Sequence, residues 1–263
     1  MRGADFFKDT PRKTLDMDGE SVEFPVLYYD FRFMTCIFTA KMNRLKNILP
    51  HPQFMPIQIW PGTGMLAVTA FEYRDTSIGP YNEVAISVPI NFPQATFLGK
   101  HSAFSTLRKN IFSVYIHQLP VTTEIARAGG VYFFHYPKFI AGIVFEERQD
   151  YLEITLKEGD DLILKLLAKK LPLKKSAPLE FHTFSVGEKT IMHALAEGRA
   201  GKYGKTMWGK CGELELGSHR ISEELKNLGL SKSARSGFSG ESTMSKLHDP
   251  DMQWDKVTLD LIS

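Results

Sequence analysis

Short segments in which every second residue is apolar constrain the fold of this chain more than any other feature. They recur along most of the 263 residues and are rich in aromatic and β-branched side chains, as in strands with one buried face. The predicted strands are Leu27–Thr39, Met65–Tyr73, Val84–Phe92, Ile111–Leu119, Val131–Tyr136, Phe139–Glu146, Tyr151–Lys157 and Leu162–Leu167. This pattern predicts a mainly β protein, a β-rich α+β fold.

Helical signals are fewer and shorter. Lys41–Leu49 repeats apolar residues on one helical face and stops at a proline, and Ser222–Leu228 is followed by a glycine. Thr122–Ala128 is predicted to form one or two turns that end at the glycine pair 129–130. Thr190–Glu197 is compatible with either a helix or a strand.

The chain shows no linker, internal repeat or low-complexity block that would divide it. We therefore predict one domain over residues 1–263, with a core from about 22 to 250. The segment Ser231–Asp251 is rich in Ser, Gly and Lys, and we expect it to loop over the surface.

Composition excludes several classes of function. With 32 Lys and Arg against 30 Asp and Glu, the charge gives no reason to expect nucleic acid or an acidic membrane as a partner. Two cysteines and the absence of an apolar run of ~18–20 residues favour a soluble, cytoplasmic protein. The eight histidines are scattered without ligand spacing, so we expect no metal site.

One lysine stands inside a dense aromatic and apolar run, Val131–Ile140. Burying an ammonium group costs several kcal/mol unless it is paired or loses its proton, and a neutral amine is a nucleophile suited to imine formation. Lys138 is therefore a candidate nucleophile. The alternative is a strand-end lysine that reaches solvent beyond Pro137.

Several short motifs accompany this lysine in a defined order. They are Asn43–Pro52 with its closing Pro-His-Pro, then Asp75-Thr76-Ser77, Tyr81-Asn82-Glu83, Ala128-Gly129-Gly130 and finally Tyr136-Pro137-Lys138. Between about Val26 and Leu247, their order and spacing resemble the acetoacetate decarboxylase superfamily.

The resemblance implies a cone-shaped β-barrel with a few short helices, assembled as a homo-oligomer, and moves Thr190–Glu197 towards a strand. It implies that Lys138 forms an imine with a ketone substrate, without metal or cofactor. Glu83 is then the candidate for proton transfer or positioning. Tyr136, Phe134 and Phe139 are predicted to form the apolar walls around the lysine.

Two positions depart from the family pattern. The second lysine that usually follows the catalytic one is Phe139 here. The family arginine for the substrate carboxylate falls near Phe31, and Arg32 lies one residue away. Successive strand residues point to opposite faces, so Arg32 reaches the substrate only if a bulge intervenes.

Three functions remain open from the sequence. The first is a decarboxylase of an acetoacetate-like 3-oxo acid through a lysine imine. The second is an aldolase–dehydratase type of Schiff-base lyase acting on pyruvate and an aldehyde. The third is a ligand-binding β-barrel without turnover, in which Lys138 is structural. In the first two cases the partner is a small-molecule oxo acid.

Overall fold

The computed structural model describes residues 2–91, 109–187, 190–250 and 257–258. Phe92 and Asp251, the ends of two predicted segments, lie outside this part of the chain. Within it, no helix is long and apolar enough to cross a membrane.

Strands dominate the described residues. They are β1 Lys13–Met17, β2 Glu20–Phe24, β3 Val26–Lys41, β4 Met55–Pro56, β5 Gln58–Trp60, β6 Thr63–Thr76, β7 Tyr81–Asn91, β8 Ile111–Gln118, β9 Gly142–Glu147, β10 Tyr151–Glu158, β11 Asp161–Lys169, β12 Ala177–Gly187, β13 Thr190–Thr206, β14 Gly212–Leu216, β15 Ser233–Ala234, β16 Ser236–Leu247 and β17 Val257–Thr258. The helices are α1 Arg2–Phe7, α2 Met42–Asn47, α3 Glu124–Phe134 and α4 Arg220–Asn227.

Seven strands form a closed barrel in the order β7-β8-β12-β13-β16-β3-β6, because β6 also pairs with β7. Neighbouring barrel strands are antiparallel except for β8 and β12, which run parallel. A second, antiparallel sheet has the order β15-β14-β11-β10-β9. The predicted β-rich barrel is confirmed.

Two hydrophobic cores result from this arrangement. One lies inside the barrel, and the other lies between the barrel and the five-stranded sheet. Strand β6 serves both, because successive side chains point to opposite faces. Met65 and Ala67 face the barrel interior, whereas Leu66 and Val68 belong to the second core.

Most predicted strands are confirmed, and Thr190–Glu197 is the first half of β13. Val131–Tyr136 is not a strand, because α3 continues through the glycine pair to Phe134. Its residues do not alternate in exposure: Val131 and Tyr132 are both exposed, whereas Phe134 is buried. Helical spacing therefore describes their burial better than strand spacing.

The segment Ser231–Asp251 does not loop over the surface, since β16 occupies most of it and pairs with both β13 and β3. Its small residues are needed for close packing. A Cβ at Gly240 would lie 2.4 Å from Cε1 of Phe33. The Ser and Gly content that is typical of a loop belongs here to a strand that packs against large aromatic rings.

Candidate active site

Lys138 is held by an extended segment that follows α3. The helix ends at His135, whose φ of 50° is left-handed and turns the chain back along the residues after β8. The Leu119 amide donates to the Pro137 carbonyl at 3.1 Å, and the Val121 amide donates to the Phe139 carbonyl at 3.0 Å. Because the backbone between these bonds is extended, Lys138 points into the barrel and Phe139 points away.

Gly130 allows the helix to approach this lysine closely. A Cβ at position 130 would lie 2.4 Å from Cδ and 2.5 Å from Cε of Lys138, well inside van der Waals contact. A residue with a side chain would therefore displace the lysine stem. The glycine that was expected to end the helix is instead required inside it.

Glu83, on β7, is the ionic partner of this lysine. Nζ of Lys138 lies 2.8 Å from Oε2 of Glu83, and the two side chains are only 7% and 9% exposed. A buried ion pair recovers its desolvation cost only partly and is weak evidence for stability. Its position in a cavity makes it a candidate functional pair.

Four tyrosines surround the pair, three of them on the neighbouring strands β3, β6 and β7. The Tyr73 hydroxyl donates to Oε1 of Glu83 at 3.3 Å, and the Tyr28 and Tyr81 hydroxyls share a hydrogen bond of 3.1 Å. Nζ of Lys138 lies 5.9 Å from the centroid of the Tyr81 ring. Tyr136, just before the lysine, is bonded to Thr183 at 2.6 Å.

These tyrosines stay protonated at neutral pH. Burial raises the pKa of Tyr73 well above its usual value, and the negative charge of Glu83 raises it further. Burial also raises the pKa of Tyr28, Tyr81 and Tyr136. The site therefore contains neutral hydroxyl groups beside the Lys138–Glu83 pair.

The ion pair lies in a barrel cavity of about 150 Å³. Glu83 and Lys138 are the charged side chains among its described lining residues, and the rest of the lining is apolar, aromatic or hydroxyl-bearing. Elsewhere in the described chain, no three His, Cys, Asp or Glu side chains come together to hold a metal ion.

The structure brings together three of the predicted site residues. Lys138, Glu83 and Tyr136 all line the cavity. Phe134 does not line it but stacks behind Tyr136, with the ring centroids 5.0 Å apart and the planes 5° from parallel. It supports the tyrosine wall rather than forming one.

Two predicted placements are wrong. Phe139 packs against the second core, on the opposite side of the segment from Lys138, and is not a wall of the cavity. Arg32 lies on the outer face of β3, where it pairs with Glu72 at 2.7 Å and also with Glu147. Its neighbour Phe31 lines the cavity instead, as strand alternation requires.

The sequence analysis did not assign Tyr28, Tyr73 and Tyr81 to the site. A signal existed for Tyr81, since it precedes Glu83 by two residues and so shares its strand face. Tyr73 is its cross-strand partner in the β6–β7 register. Tyr28 has no comparable local signal, because the barrel closure brings it there.

The fold and the site together define a closed β-barrel protein with a buried Lys–Glu pair in a largely apolar cavity. The family model described as acetoacetate decarboxylase matches residues 10–256. The chain therefore belongs to the acetoacetate decarboxylase family. No curated protein sequence matches it.

Solved structures share this fold at low sequence identity. A structure of acetoacetate decarboxylase superposes with a TM-score of 0.62 at 15% identity, covering 90% of this chain and 91% of that one. Acetoacetate decarboxylase from Legionella pneumophila gives 0.61 at 16% identity, covering 99% and 96%. The enduracididine biosynthesis enzyme MppR, complexed with pyruvate, gives 0.58 at 10% identity, covering 91% and 96%.

Proposed function

We propose that this protein is a lyase that binds an oxo acid as an imine on Lys138 and releases CO2 from a 3-oxo acid. The observation that carries the proposal is the 2.8 Å contact between Lys138 and Glu83, both almost fully buried in the barrel cavity. A proton passed from the ammonium to the carboxylate across this contact leaves a neutral amine. That amine is the nucleophile the reaction needs.

The first half of the reaction forms the imine. The lone pair of Lys138 Nζ attacks the ketone carbon, and a proton shifts from nitrogen to oxygen to give a carbinolamine. Protonated Glu83 then gives its proton to the hydroxyl group, which leaves as water. The products are an iminium cation and the Glu83 carboxylate.

The second half breaks the carbon–carbon bond. The bonding pair to the carboxylate moves towards the iminium nitrogen, CO2 leaves, and a neutral enamine remains. Its carbon takes one proton, supplied in net terms by solvent. Water then adds, the ketone departs, and the proton released is returned to Glu83. The apolar lining favours this sequence, because charge is dispersed as the carboxylate becomes CO2.

An aldolase–dehydratase reaction is the second candidate. Among the described lining residues Lys138 is the one cation, so the lining does not distinguish the carboxylate of a 3-oxo acid from that of pyruvate. The observation that favours this candidate is that the relative MppR was solved with pyruvate. Pyruvate would form the same imine but lose a proton rather than CO2.

Imine formation is tested by borohydride reduction in the presence of a panel of 2-oxo and 3-oxo acids, read by intact mass. We expect one ligand mass to be added, on the peptide containing Lys138, and no adduct with Lys138→Met. Lys165→Met is the matched control, because that lysine lies on β11 near Glu153. An adduct on another lysine would contradict the proposal, and CO2 release separates the two reactions.

A further inference from the structure

The barrel cavity extends well beyond the ion pair. On β6, Met65, Ala67, Thr69, Phe71 and Tyr73 all line it, and this alternating series covers ~26 Å of strand at ~3.3 Å per residue. Strands in barrels are tilted by ~35–45°, which leaves about 20 Å along the axis. Glu83 pairs with Phe71, so the reactive pair lies near one end of a long, narrow space.

One wall of this space is made of small side chains. Ala67 is the register partner of Ser87, and Thr69 is the partner of both Ala85 and Thr35. All five line the cavity. Small residues at adjacent positions on three neighbouring strands leave room where larger ones would fill the barrel.

Another part of the wall is aromatic. Phe112, Phe181 and Phe238 line the cavity, and their rings stack with centroids 5.0 Å apart for Phe112–Phe181 and 4.4 Å apart for Phe112–Phe238. Phe238 is the register partner of Thr35, so the rings adjoin the small-residue wall.

No charged side chain serves this remote part of the cavity among its described lining residues, since Glu83 and Lys138 are already paired with each other. A charged substituent placed there would lose hydration without gaining an ionic partner. An apolar substituent gains affinity about fourfold for each CH2 group buried. The whole cavity, about 150 Å³, is of the size that admits a benzene-sized group, so five or six carbons is the upper bound for a substituent.

We propose that the substrate is a 3-oxo acid whose ketone carries an apolar substituent of about five to six carbons, alkyl or phenyl, lying between the small-residue wall and the phenylalanine rings. This rests on the proposed function for the imine at Lys138. Acetoacetate, with only a methyl group at that position, leaves the remote part of the cavity empty.

The test is a substituent series: acetoacetate, 3-oxohexanoate, 3-oxooctanoate and 3-oxo-3-phenylpropanoate, followed by CO2 release. We expect kcat/KM to rise at least ~10-fold from acetoacetate to 3-oxooctanoate. Ala67→Leu should reduce that ratio several-fold by narrowing the cavity, whereas Lys157→Leu on the exposed face of β10 should leave it unchanged. A ratio of one or below in the wild-type protein overturns the inference and leaves the proposed function intact.

A binding measurement distinguishes failure of this inference from failure of the proposed function. Calorimetric titration with 2-heptanone and acetone needs neither imine nor turnover, and we expect 2-heptanone to bind at least ~10-fold more tightly. If no oxo acid gives CO2 or a reducible adduct but this preference holds, the proposed function fails and the ligand class stands. Equal affinity for the two ketones overturns the inference even if Ala67→Leu does not fold.

Discussion

Glu83 receives hydrogen bonds from two directions, from Lys138 at 2.8 Å and from Tyr73 at 3.3 Å. These bonds fix both carboxylate oxygens. In the proposed reaction they keep the carboxylate next to the amine during the proton transfers. At the scale of single residues, the site is a carboxylate held against an amine inside a largely apolar barrel.

Glu83→Gln should therefore separate proton transfer from imine formation. The amide preserves the shape and one acceptor oxygen of the side chain but cannot act as an acid or base, so some borohydride-trapped adduct should persist. Turnover should fall by ~10²–10⁴-fold, the range typical of general acid–base groups. Glu72→Gln is the matched control, because that residue pairs with Arg32 on the outer face. Wild-type turnover in Glu83→Gln would show that the carboxylate does not move protons.

Helix α3 has an unusual pair of consecutive glycines with different surroundings. A Cβ at Gly129 would meet nothing within 4 Å, whereas one at Gly130 would meet the Lys138 stem. Both positions gain helix propensity on substitution by alanine, by as much as ~1 kcal/mol each. At the scale of elements, the two glycines allow α3 to be substituted either with or without displacing the Lys138 side chain.

Gly130→Ala should keep the fold and lose activity. The atoms in the way belong to a flexible side chain, which moves aside, so thermal unfolding should change little while borohydride trapping and turnover fall at least ~10-fold. Gly129→Ala should retain both trapping and turnover, with equal or higher thermal stability. Equal activity of the two variants would mean that the lysine does not depend on close approach of the helix.

The same contact explains part of what the sequence did not reveal. Alternation predicts strands reliably here because each barrel strand has two different faces. The prediction is wrong for α3, because the glycine pair resembles the end of a helix. Its contact with Lys138, which explains why glycine lies inside the helix, is not visible in the sequence. Alternation also fails for β16 because its Gly and Ser residues are selected by packing against Phe33, a contact made by distant strands.

The candidate site, like the fold, was predictable from the sequence only in part. Lys138, Glu83 and Tyr136 follow from motifs with a fixed order. Phe139 and Arg32 were misplaced because sequence proximity to a site residue says little about direction on an extended backbone. Tyr73 reaches Glu83 across the β6–β7 pair, and Tyr28 reaches Tyr81 from β3; both contacts depend on strand pairing and not on a motif in the sequence.

At the scale of the whole molecule, stability should depend on pH through His193. This residue is buried on β13, with its Nε2 2.9 Å from Nδ1 of His182. Burial and the neighbouring His182 lower the pKa of His193 from its ordinary value of 6.5 to about 3. The native state therefore stays unprotonated at a pH where the unfolded chain takes up a proton.

The sign follows from linkage. A depressed native pKa contributes stability that is complete above about pH 6.5 and is lost as the pH falls towards about 3, by at most ~1.4 kcal/mol per pH unit. We expect His193→Gln to lose less unfolding free energy than the wild-type protein between pH 7 and pH 5, measured by urea titration. Parallel losses in both proteins would show that His193 does not set this dependence.

Strand β6 contributes side chains both to the second core and to the cavity, and this has a consequence for how such proteins diverge. Its even-numbered residues from Leu66 to Ala70 belong to the core shared with the second sheet, and its odd-numbered residues from Met65 to Tyr73 line the cavity. Substitutions at the odd positions therefore alter the cavity while the core beneath the second sheet keeps its side chains. This separation is consistent with solved structures that share the fold at 10–16% identity.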